Sequence, residues 1–144
     1  MRIYLGHNVL DAALNRFRWL FDEFENLFVG FSGGKDSTVI LELALQVARE
    51  RGRLPLDVMF LDQEAEWNVV IDYVRRTMGR SDVRPHWLQV PFRLFNATST
   101  TRPWLHCWDE SCESQWVRTK EPNSVHRNDY GVDRFHEMFP AFTD

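Results

Sequence analysis

The run Phe28-Val29-Gly30-Phe31-Ser32-Gly33-Gly34-Lys35-Asp36-Ser37-Thr38-Val39-Ile40 restricts the fold of this chain more than any other stretch. An apolar segment gives way to small and polar residues and then resumes with helix-compatible spacing, which predicts strand, tight loop, helix. Gly33 and Gly34 lack a Cβ, so the backbone there can turn sharply and approach a ligand closely. The following helix presents unbonded N–H groups and the positive end of its dipole to whatever fills the loop. An anion suits that position, phosphate above all, and Lys35 with the hydroxyls of Ser32 and Ser37 adds a charge and two donors. The competing reading is a plain glycine turn with Lys35 and Asp36 solvated.

The loop departs from the commoner phosphate loops. Gly30 to Gly34 is one residue short of the G-x-x-x-x-G-K-[ST] spacing, Asp36 stands where that motif needs a hydroxyl, and no G-x-G-x-x-G is present. Ser32-Gly33-Gly34-Lys35-Asp36-Ser37 instead resembles, at every fixed position, the PP-loop signature S-G-G-x-D-S of the ATP pyrophosphatase and adenine-nucleotide alpha-hydrolase superfamily. Tyr4-Leu5, Asn8-Val9, Ala12-Ala13 and Phe21-Asp22-Glu23-Phe24 look like the lead-in to that loop in phage and bacterial proteins of the phosphoadenosine phosphosulfate reductase family. The stretch from Trp104 to Lys120 is similar to the segment that follows it.

The resemblance implies an ATP site in which Ser32, Gly33, Gly34, Lys35, Asp36, Ser37 and Thr38 hold the nucleotide, with Lys35 and Asp36 in catalytic positions and pyrophosphate as a product. Two departures stand out. The C-terminal Glu-Cys-Gly-type motif that carries the nucleophile of sulfonucleotide reductases is absent, and the loop is intact where theirs is usually degenerate.

A chain of 144 residues that is 44% hydrophobic suits one domain, 1–144, with a substantial core. Asn8 is a candidate N-cap for a helix whose apolar face runs through Leu10, Ala13, Leu14, Phe17, Leu20, Phe21 and Phe24. Leu27 to Phe31 is expected as the first strand and Lys35 to Arg51 as a largely buried helix closed by Gly52. Leu56 to Leu61 has the nearly continuous apolar character of an interior parallel strand. Trp67, Val70, Ile71, Val74 and Met78 mark a further helix ending at Gly79, and His86 to Val90 a third strand.

Alternating strands and helices predict an α/β fold, a Rossmann-like open parallel sheet with helices on both faces. Beyond Pro91 the periodicity fades, so 91–144 is the part least defined by pattern. Val132, Phe135, Met138, Phe139 and Phe142 suggest a closing helix.

Ligands of such sheets sit outside the carboxyl ends of the strands. That rule draws attention to Asp62-Gln63-Glu64-Ala65-Glu66, which follows the second predicted strand. Carboxylates repel phosphate unless a cation lies between, so Asp62 and Asp36 are candidate magnesium ligands, and Asp62 a candidate nucleotide contact. The alternative is an acidic helix start in which Glu64 and Glu66 complement the dipole, and for Glu66 that is the plainer expectation. Thr98-Ser99-Thr100-Thr101-Arg102 is a candidate second anion site with Arg102 as a bidentate partner, or an ordinary turn. Cys107 and Cys112, with His106, fall short of a metal set and are expected as buried or inert thiols.

The net charge of -4, without a long Lys/Arg run, gives no footprint for wrapping nucleic acid, though a nucleic-acid substrate stays open. No apolar run reaches membrane-spanning length, and the absence of a leader pattern leads to the expectation of a cytoplasmic protein. The leading expectation is an enzyme acting at the alpha-phosphate of ATP with magnesium. The alternatives are a sulfonucleotide reductase using Cys107 or Cys112, and a nucleotide-bound interaction module that engages a partner chain or a second copy of itself.

Overall fold

The computed structural model describes residue 6 and residues 8–126. The expected extended start at Arg2 to Leu5 and the closing helix around Val132 to Phe142 lie outside the described residues. The elements run α1 (Val9–Glu23), β1 (Phe28–Gly30), α2 (Lys35–Glu50), β2 (Leu56–Leu61), α3 (Asn68–Met78), β3 (Val83–Leu88), β4 (Phe92–Phe95), β5 (Trp104–Cys107) and a short 3-10 helix, Glu110–Gln115. Strands β1, β2 and β3 form a parallel sheet in that order, flanked by helices, which is the Rossmann-like α/β architecture. Its central strand, β2, is apolar except at Asp57, because a strand paired on both sides has little polar surface to satisfy.

Contacts divide the chain into two compact units: Met1–Met59 with Val69–Pro85, and Phe60–Asn68 with His86–Asp144. In the first, Asn8 caps α1: its Oδ1 accepts from the backbone N–H of Asp11 at 2.9 Å, and its Nδ2 donates to the Asp11 carboxylate at 2.8 Å. Helix α1 packs on α2, and α2 on β1. Leu14 and Phe21 of α1 are buried, as are Leu41, Ala44, Leu45, Val47 and Ala48 of α2 and Ile71, Val74 and Met78 of α3. Two ion pairs link the first two helices at their edges, Arg51 to Asp22 in bidentate geometry (2.8 and 2.9 Å) and Arg18 to Glu50 (3.0 and 3.2 Å). Hydrogen bonding to the partnering guanidinium holds the Asp22 and Glu50 carboxyls below their ordinary pKa values.

Several boundaries differ from the sequence expectation. Leu10 and Phe24 are exposed, and so are Val39 and Ile40, so the apolar faces of α1 and α2 are narrower than periodicity suggests. Trp67 precedes α3 and is 80% exposed, where a place on the helix stripe was expected. Strand β3 begins at Val83 rather than His86. No acidic residue occupies the first turn of α3, so Glu64 and Glu66 do not serve as a helix start.

In the second unit the weakly patterned region contains an antiparallel hairpin, β4 with β5, whose Phe92 and Cys107 pack with Trp108. Local spacing missed it because strands of four residues show too few alternations to register. Substituting Asn8→Ala should lower unfolding free energy by about 1 kcal/mol, since the Asp11 N–H loses its acceptor. Urea titration checks this, and an unchanged midpoint would show that the cap contributes nothing.

Candidate functional site

The phosphate-loop candidates come together in the first unit. Phe31 extends the run of β1 with an N–H bond to the Met59 carbonyl (2.8 Å), after which the chain turns at Gly33, whose φ is +74°. Only glycine suits that point: a Cβ would lie 2.9 Å from Val70 Cγ1 and 3.1 Å from Val74 Cγ2 of α3, in a backbone region that other residues avoid. The loop is then held by hydroxyls. Ser32 and Ser37 Oγ atoms are 3.0 Å apart, Ser37 Oγ donates to the Gly34 carbonyl at 3.0 Å, and Thr38 Oγ1 donates to the same carbonyl at 2.8 Å. Tyr73 of α3 donates its hydroxyl to Thr38 Oγ1 at 3.2 Å.

Helix α2 starts directly after Gly34, which as N-cap supplies no side-chain acceptor. A helix start of this kind leaves first-turn N–H groups to be satisfied by water or by an anion. Lys35 and Asp36 are exposed there. The loop therefore offers backbone donors, an ammonium group and hydroxyls around one position, which is the equipment for holding a phosphate.

Asp62 and Arg102 belong to the second unit, and their surroundings alter their assignments. Asp62 has 0% exposure. One carboxylate oxygen accepts from the Glu64 N–H (2.8 Å) and from Arg118, and the other from Trp87 Nε1 (2.8 Å) and Gln89 Nε2 (2.9 Å). Its backbone carbonyl accepts from Trp108 Nε1 at 2.7 Å. A magnesium ion needs open oxygens and room for water, and four donors already occupy these, so Asp62 does not fit a metal or a nucleotide contact in this arrangement.

Arg118, Trp87, Gln89 and Glu64 carried no local signal for this role. The only hint was that a carboxylate at a buried strand end requires a cation and donors from somewhere. Glu64 is drawn in as well. It adopts φ +63° while its carboxylate accepts from the Trp108 N–H (2.7 Å) and the Val117 N–H (3.3 Å), and its carbonyl accepts from Arg118.

Arg102 lies at the tip of the hairpin. There Asn96 Oδ1 accepts from the Thr98 N–H and hydroxyl, the Arg102 N–H donates to Ser99 Oγ, and the Arg102 carbonyl accepts from Asn96 Nδ2. Those bonds build a turn, and the Asn96 carbonyl-type oxygen and Ser99 hydroxyl serve it rather than a preformed anion cradle.

Cys107 is buried, and burial first, then the Glu64 and Asp62 charges, push its thiol up to about 11. Cys112 is half-buried beside Ser111 Oγ at 3.7 Å. Among the described residues no group of His, Cys, Asp and Glu could hold a metal, and no helix is long and apolar enough to cross a membrane.

Comparison with known proteins follows the same line. The profile of the phosphoadenosine phosphosulfate reductase domain matches residues 26–126, which includes the whole loop. The chain belongs to that family. Its function is thereby nucleotide-related at the family level.

It is 32% identical to the YbdN protein of Escherichia coli (strain K12) over 132 residues, 90% of this chain and 32% of the relative. It is 46% identical over 69 residues, 46% of this chain and 22% of the relative, to sulfate adenylyltransferase subunit 2 of Mycobacterium bovis (strain BCG / Pasteur 1173P2). To the protein of that name in Mycolicibacterium vanbaalenii it is 39% identical over 85 residues, 58% of this chain and 27% of the relative. The chain thus spans less than a third of the length of these relatives.

Removing Arg118 leaves a buried carboxylate without its cation, so Arg118→Ala should destabilise the fold by about 3–5 kcal/mol in urea titration. A change below about 1 kcal/mol would mean that the Asp62 carboxylate does not depend on this guanidinium.

The raised Cys107 pKa carries a sign. Stability from the neutral thiol is complete below its ordinary value of 9.0 and is lost as pH rises through about 11. Iodoacetamide at pH 8 should label Cys112 and spare Cys107 in the native protein, while both react in urea. Mass spectrometry of the native sample showing Cys107 labelled first would contradict the burial.

Proposed function

We propose that Ser32, Gly33, Gly34, Lys35, Asp36, Ser37 and Thr38 hold the phosphates of an adenine nucleotide, ATP foremost, and that the chain supports cleavage or transfer at its alpha-phosphate with release of pyrophosphate. The single observation that carries this reading is the start of α2. A helix of 16 residues opens at Lys35 without a side-chain cap, separated by Gly34 alone from Gly33, which turns the chain at φ +74°, and its exposed Lys35 stands at that opening. Membership of the phosphoadenosine phosphosulfate reductase domain family supports a nucleotide as the anion.

Negative charge accumulates on the pyrophosphate portion as the bond to the alpha-phosphorus breaks. Loop N–H groups and the Lys35 ammonium, already in position, stabilise it without reorganising. Ser37, bonded to Ser32 and to the Gly34 carbonyl, keeps those donors aligned. Magnesium, when bound, would neutralise phosphate charge and orient the leaving group. Of the two carboxylates considered for it, Asp36 is exposed in the first turn of α2 and fits; Asp62 does not.

The relatives named sulfate adenylyltransferase subunit 2 favour adenylyl transfer, with sulfate as the acceptor to try first and a second protein chain as the partner. Sulfonucleotide reduction through Cys107 is disfavoured, because a thiol pushed up to about 11 is protonated at neutral pH and buried away from a substrate.

Lys35→Ala should weaken ATP binding by tenfold or more in calorimetry, about the loss expected for one charge-assisted hydrogen bond, with an unchanged melting temperature. Ser37→Ala should weaken it in the same direction. If both variants match the parent, the loop does not hold the phosphates. Asp36→Asn should reduce the gain in affinity that magnesium provides. Pyrophosphate release from ATP, with and without sulfate, separates an enzyme from a binding module: a chain that binds ATP and releases none is the latter.

A further inference from the structure

The hairpin of β4 and β5 has two unlike sides. Phe92 lies opposite Cys107, Arg93 opposite His106, Leu94 opposite Leu105 and Phe95 opposite Trp104. Side chains alternate across a pleated strand, so Phe92, Leu94 and Cys107 share one side, which packs with Trp108. Arg93, Phe95, Trp104 and His106 share the other. On an outward-facing side polar residues are the usual choice, yet Phe95 is 68% and Trp104 49% exposed. Their rings meet edge to face at 5.7 Å, and the Arg93 guanidinium lies over the Trp104 ring, 5.7 Å from its centroid. Arg93 is half-buried, and its Nε is covered and has no hydrogen-bond acceptor among the described residues.

Charge adds an independent indication. The chain has 21 Asp and Glu residues and a net charge of -4, but no carboxylate occurs anywhere from Val83 to Trp108, a stretch that contains Arg84, Arg93 and Arg102. Arg84 is paired with Asp57, which leaves Arg93 on the hairpin face and the exposed Arg102 at its tip. The next acid, Asp109, is 3.5 Å from His106. The overall negative charge therefore conceals a local surface that is cationic and aromatic together.

We propose that this face of the hairpin binds single-stranded nucleic acid, with bases stacking on Trp104 and Phe95 and phosphates meeting Arg93 and Arg102. An acidic peptide would satisfy the two cations but leave both rings in water. A duplex keeps its bases stacked on each other and has no free faces to offer. Unpaired nucleotides supply an aromatic face and a phosphate at every step, which matches the alternation of rings and guanidinium groups on this side. The assignment is separate from the nucleotide loop: either can fail while the other stands.

The test uses the whole chain and a fluorescein-labelled oligothymidylate of about 12 nucleotides, followed by anisotropy across a salt series. Trp104→Ala and Phe95→Ala should each weaken binding by about fivefold or more, and Trp104→Phe, which keeps a ring, should retain most of it. Arg93→Gln and Arg102→Gln should each lower the steepness of the log affinity against log salt plot by about 0.7. Circular dichroism melts confirm that each variant is folded. Equal affinity for parent, Trp104→Ala and Phe95→Ala overturns the proposal, as does absence of binding at low salt. Capture of polyglutamate in place of the oligonucleotide, lost in Arg93→Gln, also overturns it and makes the face an acidic-peptide surface.

Discussion

A carboxylate removed completely from water must find a cation and a full set of donors, and much of the second unit is arranged around that requirement at Asp62. Its donors come from Glu64, Trp87, Gln89 and Arg118, the last 56 residues away in sequence. Leaving any of them out would strand a buried polar group, which is far more costly than the net gain from one ordinary hydrogen bond. The four therefore act as a set. Arg118 also bonds the Glu64 carbonyl and lies over the Trp108 ring at 5.2 Å, so one guanidinium ties the segment after β2 to the segment after β5. Glu64 and Trp108, both at positive φ, are held where unsupported residues of their type would relax.

The loop from Ser32 to Ser37 in the first unit is organised on the opposite principle. Its internal bonds are few and short-range, made by Ser32, Ser37 and Thr38 to one another and to the Gly34 carbonyl. What they achieve is a fixed backbone path into the start of α2, where Gly34 offers no side-chain acceptor to the first-turn N–H groups. Preorganisation of that kind allows an anion to be bound or a growing charge to be stabilised without rebuilding the loop. Gly33 permits it by letting Val70 and Val74 of α3 come close against the turn. In the Asp62 cluster both carboxylate oxygens are satisfied by protein donors, and the result is stability. At the loop the first-turn N–H groups of α2 lack intrahelical partners, and that is the feature from which anion binding is proposed.

How much of this was legible in sequence depended on how far apart the interacting residues are. The strand, loop and helix from Phe28 onward, the N-cap at Asn8 and the limits of β2 rest on neighbours within a few positions, and the structure shows them much where pattern places them. Helix burial was only partly legible: Val39 and Ile40 fit an apolar stripe by spacing, but which part of that stripe is covered depends on the width of the neighbouring elements. Asp62 was expected to face a metal or a nucleotide, and in the structure its carboxylate meets protein donors instead. Its position at the strand end drew attention to it, but its side-chain partners Trp87, Gln89 and Arg118 are 25 residues away and more, and no local pattern distinguishes a carboxylate that meets an arginine from one that meets an ion.

The amino-acid sequence by itself thus determined the α/β class, the phosphate-loop candidate and its family resemblance, because glycine geometry, helix polarity and apolar continuity act over adjacent residues. Only the tertiary structure decided the pairing of β4 with β5, the burial of Cys107 and the engagement of Asp62 by Arg118, Trp87 and Gln89. Cross-strand contacts and the neutralisation of a buried charge depend on which distant segments meet, and that is set by the packing of the folded chain.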